Sequence, residues 1–192
     1  MPKIRATTVA EHRRTQKRAL VEAARSLLQE SGKRPTLAEV GAKAGLARSS
    51  VYQYFDTADD LLLAVVDAQL PVWNEAIRTA VDAESNPGHR VLAYAWANLR
   101  LAAQGEHEIA KHLGQIQTKE VAAQKVRAVH AALRQPLITA LEKCGIEDVP
   151  VAAAVIGGAI NAALKQLEAG ATFDSAWNAL ARLLSVFEEY EA

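Results

Sequence analysis

Hydrophobic positions recur with helical spacing along nearly the whole chain, and glycine, proline or capping residues separate the segments. Leu20, Ala24 and Leu27, for example, follow the i, i+4, i+7 spacing of one helical face, and Gly32 ends that segment. No alternating strand pattern or tandem repeat interrupts the succession. The pattern predicts an all-α fold of nine helices, three at the N-terminal end and six beyond. We predict these helices at residues 10–31, 37–44, 48–55, 58–82, 88–104, 106–116, 119–143, 149–168 and 173–190, with bends at Pro71 and Pro136.

Two threonine–acid pairs mark helix starts in the first third of the chain. Thr36 with Glu39, and Thr57 with Asp60, have the spacing at which a hydroxyl and a carboxylate each satisfy a free backbone N–H. The second and third predicted helices are short, and a three-residue turn that begins with Gly45 joins them. This is the geometry of a helix-turn-helix.

The third predicted helix carries the residues most suited to recognition. Val51 and Phe55 lie at i and i+4 and are expected to face the core. The remaining surface mixes serines, tyrosines and a glutamine with an N-terminal arginine, groups that can reach base edges and phosphates in a major groove. The tyrosines also fit a plain role as packing residues with solvated hydroxyls. Taken alone, this helix leaves both interpretations open.

The formal net charge is zero, but the charges are partitioned along the chain. Residues 1–55 contain 11 Lys or Arg against 4 Asp or Glu, whereas residues 56–192 contain 11 against 18. A basic block beside an acidic body indicates that one end meets a polyanion. An exposed helix that happens to be rich in Lys and Arg would give the same pattern.

Composition narrows the class of protein further. Half of the 192 residues are apolar and 23% are charged, which is typical of a globular chain. Cys144 is the only cysteine, so it forms no internal disulfide, and it lacks metal-site spacing. No secretory signal and no run of about 18 apolar residues is recognisable. We therefore expect a cytoplasmic protein without a membrane span, metal or cofactor.

A pattern of small, hydroxyl-bearing and aromatic residues runs with unbroken spacing through residues 15–65. It comprises Ala23–Ala24, Thr36, Val40–Gly41, Ala44–Gly45–Leu46–Ala47, Ser50–Val51–Tyr52–Gln53–Tyr54–Phe55, Thr57–Ala58 and Leu61. This pattern resembles the N-terminal domain of the TetR family of transcriptional repressors. The resemblance implies a helix-turn-helix DNA-binding domain at residues 1–57 and a helical ligand-binding and dimerisation domain at residues 58–192. It also implies a homodimeric repressor that a small-molecule ligand releases from a palindromic operator.

Three positions depart from the family's pattern. Ala47 replaces the usual Ser or Thr cap, which costs about 1 kcal/mol at the start of the recognition helix. Gly41 replaces alanine, which weakens a short helix but permits closer packing. Ala58 replaces a lysine that commonly holds a phosphate, so one phosphate contact per subunit is in doubt. Arg48 and the basic run at residues 12–18 could compensate for that loss.

Position by position, the resemblance assigns roles in DNA binding. Lys3 and Arg5, on a flexible arm, could enter a neighbouring groove or could be a solvated tail. The base-reading candidates are Arg48, Ser49 and Gln53, and the candidates for contact with the DNA backbone are Thr36, Ser50, Tyr52 and Tyr54.

The last two predicted helices are suited to pairing two subunits, because helix 149–168 has an apolar stripe and a second face of small residues, and helix 173–190 has a wide apolar stripe. Simple burial within a monomer is the alternative. The resemblance implies a four-helix dimer interface here, with the candidate residues Ile156, Gly157, Ala159, Ala163, Leu180, Leu183, Leu184 and Phe187.

A ligand pocket is expected among the middle helices, where polar tips occur on mostly apolar helices. Any of these residues could equally be a satisfied core or surface residue. The candidates are Tyr94, Trp96, Leu99, His112, Gln115 and Asn161.

Two other classes of protein compete with a DNA-binding regulator. The stretch HEIAKH at residues 107–112 superficially resembles a zinc-protease motif, but its histidines are five residues apart and cannot share a metal on one helical face. No other catalytic motif is evident, so we expect no enzyme. A ligand-binding bundle with a decayed DNA-binding end is the second alternative, and the preserved charge partition argues against it.

Overall fold

The computed structural model describes residues 3–106 and 120–190, and within these ranges the chain is all-helical, with eight α-helices and no strand. The predicted all-α fold is confirmed, while the helix predicted at 106–116 lies almost wholly outside the described residues. The helices are α1 Lys3–Ser31, α2 Leu37–Lys43, α3 Arg48–Val51, α4 Ala58–Asp82, α5 Pro87–Leu101, α6 Glu120–Lys143, α7 Val149–Glu168 and α8 Phe173–Leu183. A π-helical turn, Ala102–Glu106, follows α5, and a 3₁₀ turn, Ser185–Phe187, follows α8.

The chain forms two compact units, whose described residues are 3–69 with 120–123, and 70–106 with 124–190. The first unit extends beyond the boundary predicted at residue 57 because the first turns of α4 pack on α1. Leu61 and Val65 are buried there, and they line the same small internal gap as Leu28 of α1. The helix-turn-helix therefore shares its core with the beginning of α4.

Two helices end earlier than their hydrophobic periods predict. The recognition helix α3 stops at Val51 instead of residue 55, and the chain continues in tighter turns, with the N–H of Gln53 bonded to the Ser50 carbonyl at 3.2 Å. α8 stops at Leu183 instead of residue 190, and the Ser185 hydroxyl donates to the Arg182 carbonyl at 3.0 Å. In both places local hydrogen bonds of the last turn compete with the regular helical pattern.

The N-terminal helix begins earlier than predicted. α1 starts at Lys3, so the backbone of Lys3 and Arg5 is helical, and the expected flexible arm is wrong. The physical reason is that no glycine or proline interrupts the stretch from Lys3 to Ser31. α4 and α6 likewise continue through Pro71 and Pro136 without a break in the helix.

The core of the second unit is built around α5. Val91, Ala95 and Leu99 are fully buried on one face of that helix, among side chains of α6, α7 and α8. Asn86 caps α5 by accepting from the N–H of Gly88 at 2.7 Å. A Cβ at Gly88 would lie 1.9 Å from the Phe187 carbonyl oxygen, so this helix start and the 3₁₀ turn touch through backbone. The close approach requires glycine.

Cys144 belongs to this same core. Its side chain is buried and burial raises the pKa of its thiol, which keeps the sulfur protonated and unreactive. The single cysteine is therefore a packing residue.

Candidate nucleic-acid interface

The helix-turn-helix is fixed by one capping box and two glycines. The Glu39 N–H bonds the Thr36 hydroxyl at 3.2 Å, and the Glu39 carboxylate accepts from the Thr36 N–H at 2.7 Å. These bonds from Thr36 lower the pKa of Glu39, so the box persists at neutral pH and weakens only under acidic conditions. Gly45 adopts a φ of 70° in the turn, a left-handed conformation that favours glycine.

Gly41 lets α2 approach α3 closely. A Cβ at Gly41 would lie 2.7 Å from Cγ2 of Val51, a buried residue of α3, and 3.1 Å from the carbonyl oxygen of Leu46. Both distances are shorter than ordinary packing allows. Glycine, which stands here in place of the family's alanine, thus allows the recognition helix to pack closely against α2.

The start of α3 has no side-chain cap. Ala47 takes the extended conformation of a capping residue, but its methyl group offers no acceptor to the free N–H groups. Arg48 turns back over its own helix, where its guanidinium donates to the Tyr52 hydroxyl at 3.4 Å and stacks 5.9 Å from the ring centroid. The side chain is thereby held at the N-terminal end of the recognition helix.

Side chains of α1 bind the C-terminal end of the recognition segment, by which we mean residues 48–55. Arg13 donates to the backbone carbonyl of Gln53 at 3.2 Å and places its guanidinium 5.7 Å from the Tyr54 ring centroid. The Tyr54 hydroxyl in turn donates to the side-chain carbonyl of Gln16. These three contacts tie both residues after Tyr52 to one turn of α1.

A cleft of about 550 Å³ opens beside the recognition helix, between the starts of α2 and α4. Its walls include Thr36, Arg48, Tyr52 and Ala58. The short side chain of Ala58 leaves room where the family's lysine would project, and Arg34 on the same cleft pairs with Asp59. The cleft therefore combines hydroxyl groups with the guanidinium of Arg48, which makes no ion pair among the described residues, and such groups can bind an anion.

The sequence-predicted DNA-binding residues fall into two groups by exposure. The exposed side chains are those of Thr36, Arg48, Ser49, Tyr52 and Gln53, whereas Ser50 and Tyr54 are half-buried. The structure brings all seven onto one region of the first unit, and their contacts with DNA remain predictions.

Residues 20–65 match the model of the bacterial regulatory proteins of the tetR family, a span that includes the helix-turn-helix and the start of α4. This part of the chain is similar to the N-terminal domain of that family. The family consists of bacterial regulatory proteins, and the similar solved structures include the fatty acid degradation regulator FadR from Bacillus halodurans. No curated protein matches the chain.

Solved structures of other TetR-like regulators share the fold over most of the chain. The transcriptional regulator FadR from Bacillus subtilis in complex with stearoyl-CoA is 19% identical, with a TM-score of 0.70 over 86% of this chain and 96% of that one. AibR in complex with isovaleryl coenzyme A and operator DNA is 17% identical, with a TM-score of 0.71 over 87% and 97%. A TetR/AcrR-family regulator from Thermobifida fusca is 15% identical, with a TM-score of 0.70 over 93% and 100%. At these identities the likeness establishes the fold alone.

The candidate dimer residues divide between the core and the surface. Ile156, Leu180, Leu184 and Phe187 are buried within the second unit. Gly157, Ala159 and Ala163 are half-buried and Leu183 is 73% exposed. The dimer interface itself stays a prediction.

The exposed face of α7 and α8 carries apolar side chains that the sequence prediction missed. Val151 and Val155 project from α7, and Val186 lies in the turn after α8, each more than half exposed. Gly158 on the same side of α7 has open space around its missing Cβ. By length and composition α7 is apolar enough to cross a membrane, with a mean hydropathy of 1.3 over a window of which 28% is buried. One such helix is weak evidence for a span. We name Val151, Val155, Leu183 and Val186 the outer apolar face.

The structure describes four of the six candidate ligand residues. Tyr94 and Leu99 are buried in the core of the second unit, where burial raises the pKa of the Tyr94 hydroxyl. Trp96 is half-buried and stacks with Arg100, whose guanidinium lies 4.9 Å from the ring centroid. Asn161 is exposed on α7, away from the buried face of that helix. His112 and Gln115 lie outside the described residues, and a role of this set in ligand binding stays a prediction.

Proposed function

We propose that this TetR-family regulator is a homodimeric repressor that binds a palindromic operator through α3 and leaves it when a small molecule binds the helical body. The observation that carries the proposal is the exposed set of Arg48 and Ser49 on α3 and Gln53 in the turn after it, beside the basic surface of α1. Arginine and glutamine can each make paired hydrogen bonds to a base edge. Such a protein works in the cytoplasm.

A second copy of this chain is the partner we assign to the outer apolar face. One helix-turn-helix makes few contacts, and pairs of them bind two half-sites about one helical turn or a multiple apart. Two-fold pairing places the same patch of both copies in contact, which suits a face made of two neighbouring helices. α7 and α8 pack on each other, and exposed apolar side chains lie on both helices and in the turn after α8.

Arg48 is our candidate for the phosphate contact that Ala58 has lost. Its guanidinium and Ala58 line the same cleft, together with the Thr36 hydroxyl and the start of α2. A phosphate in this cleft would meet a fixed positive charge without the lysine. Arg48, at the start of α3, would then contact both base edges and the phosphate backbone of the DNA.

Release by a ligand follows from a shift between two dimer forms, one that matches the half-site spacing and one that does not. Moving such a population from 99:1 to 1:99 requires about 5.5 kcal/mol of differential binding. α4 is one helix from its cap at Thr57 to Asp82, so it links the recognition segment to the body along the chain. Complexes of FadR with stearoyl-CoA and of AibR with isovaleryl coenzyme A support a small-molecule effector for this fold.

The test is binding of the purified chain to duplex DNA flanking its own gene, measured over a range of salt concentrations. A dimer that neutralises about 6–8 phosphates gives a slope of log K against log salt of about −5 to −7. Gln53→Ala should blur sequence preference, whereas Tyr54→Phe should weaken binding to all sequences alike, because it removes the hydroxyl that holds Gln16. A flat salt dependence, or two variants that bind as the native chain does, would contradict the proposal.

A further inference from the structure

A second cleft, of about 360 Å³, lies within the second unit between α4, the start of α5 and α6. Its volume lies within the range of small-molecule sites, about 300–1,000 Å³. One face of α4 contributes Asn74 and Arg78, and one face of α6 contributes Gln135 and Thr139, while Arg90 stands at the α5 side. None of the four predicted ligand contacts that the structure describes lines it.

Arg90 is pre-organised for an anion. Its Nε donates to the backbone carbonyl of Glu84 at 2.8 Å, which fixes the plane of the guanidinium. Its two terminal nitrogens make no hydrogen bond or ion pair with any described residue. A guanidinium held in this way can donate two parallel hydrogen bonds to a carboxylate or a phosphate.

Arg90 is the lining guanidinium that has no carboxylate partner among the described residues. Arg78 donates to the Glu75 carboxylate at 2.5 Å and lies 4.0 Å from Asp82, which lines the same cleft. Arg78 is thus shared between two carboxylates. An entering anion meets the guanidinium of Arg90 as the one that makes no ion pair.

Polar side chains without partners surround this guanidinium. Among the described residues, none donates to or accepts from the side chains of Asn74, Gln135 or Thr139. Pro136 has no N–H, so the carbonyl of Ala132 on the cleft floor lacks its usual helical donor. The floor also contains Val81 and Ala140, which are buried and apolar. The cleft therefore offers one positive fork, several neutral hydrogen-bonding groups and an apolar base.

We propose that this cleft binds the anionic end of the effector, a small molecule that carries a carboxylate or a phosphate, with Arg90 as the anion-binding residue. The inference rests on the proposed function in that it assigns the cleft to the effector. Because the cleft includes the last turns of α4, an occupant touches the helix that continues from the recognition segment. Phosphates of a coenzyme A thioester and the carboxylate of a free acid are two sources of the same chemistry.

Calorimetry on the full chain without DNA tests the site, with coenzyme A, isovaleryl-CoA and decanoate as probes. We expect at least one probe to bind, and Arg90→Gln to weaken that binding about tenfold or more, since a charge-assisted pair is lost. Binding of the two coenzyme A probes alone identifies phosphate as the anion, and binding of decanoate alone identifies carboxylate. Arg127→Gln is the matched control, an exposed arginine of α6 outside the cleft, and should change affinity less than twofold.

Two further variants protect the test against a folding defect. Arg90→Lys keeps the charge but loses the fork, and should lie between the native chain and Arg90→Gln. Thr139→Val leaves Arg90 untouched and should weaken binding about threefold to fivefold through one lost hydrogen bond. Unaltered binding by Arg90→Gln, or no binding of any probe to the native chain at 1 mM, overturns the proposal. Failure of the native chain to bind operator DNA would contradict the proposed function but not the anion site, because the calorimetry uses no DNA.

Discussion

Glycines inside helices mark the difference between the two units. Gly41 of α2 is buried, and a Cβ there would lie 2.7 Å from Val51. A Cβ at Gly157 or Gly158 of α7 would have no neighbouring atom within 4 Å. The first unit is closed around its own recognition helix, whereas the second unit leaves a helix face uncovered. The helix-turn-helix unit is therefore tightly packed within one chain, whereas α7 of the body keeps part of its apolar surface exposed.

The two units also differ in how many of their polar side chains are hydrogen-bonded to one another. In the first unit, polar side chains bind one another across helices, as Arg13 and Gln16 of α1 bind the segment after α3. In the second unit, the cleft beside Arg90 and the outer apolar face leave polar and apolar groups without partners among the described residues. Unpartnered surface of this kind is where binding free energy is available.

The largest expected effect comes from charging the outer apolar face. Val155→Glu together with Leu183→Glu places two carboxylates of each chain in the proposed interface, which should leave monomers in solution. Operator affinity should then fall by about 10²–10⁴-fold, because the second half-site is no longer held at high effective concentration. Analytical ultracentrifugation and gel shift measure the two quantities. Val72→Glu is the control, since Val72 is 57% exposed on α4, outside that face; a dimer that survives the double change would refute the assignment.

The second largest effect is a difference in stability between valine substitutions at Gly41 and at Gly158. Gly41→Val should destabilise the first unit by about 2 kcal/mol, because the added methyl groups meet Val51 and the Leu46 carbonyl. Gly158→Val, in open space, should change the unfolding free energy by only a few tenths of a kcal/mol in dilute monomer. Urea denaturation followed by circular dichroism gives both values. Adding Val51→Ala should recover part of the loss at position 41; equal losses at the two glycines would count against the packing argument.

A smaller effect is expected from the contact between α1 and the recognition segment. Arg13→Gln removes a hydrogen bond to Gln53 and a stacked cation over Tyr54, together about 1–2 kcal/mol, so operator affinity should fall about fivefold to thirtyfold. The slope of the salt dependence should stay unchanged, because this arginine binds groups of the protein and does not neutralise a DNA phosphate. Arg14→Gln is the control on the same exposed surface. A shallower slope for Arg13→Gln alone would instead make Arg13 a phosphate contact.

The smallest effect concerns the missing cap. Ala47→Ser supplies an acceptor for the free N–H groups of α3 and should stabilise the chain by about 1 kcal/mol. In a chain of this length that raises Tm by about 2–4 °C in a thermal melt. Ala42→Ser, inside α2, should lower Tm slightly since serine is a poorer helix former than alanine. No rise for Ala47→Ser would mean that another group already satisfies the start of α3.

Several features of the molecule could be predicted from the sequence alone because they depend on neighbours along the chain. The capping boxes at Thr36 and Thr57 need residues only three positions apart, and both form. The bounds of α4 and α7 follow equally local signals and match the prediction. The turn at Gly45 and the absence of a cap at Ala47 are also visible in the residues themselves.

Tertiary structure decided what depends on residues distant in sequence. Which face of α7 is buried is set by packing against α5 and α8, so Ile156 faces inward while Val155 and Asn161 face outward. The bond from Tyr54 to Gln16 joins residues 38 positions apart, and the cleft of Arg90 draws on three helices. Helical periodicity defines an apolar stripe but not its partner, because two low-polarity faces satisfy the same period and only the packed neighbours choose between them.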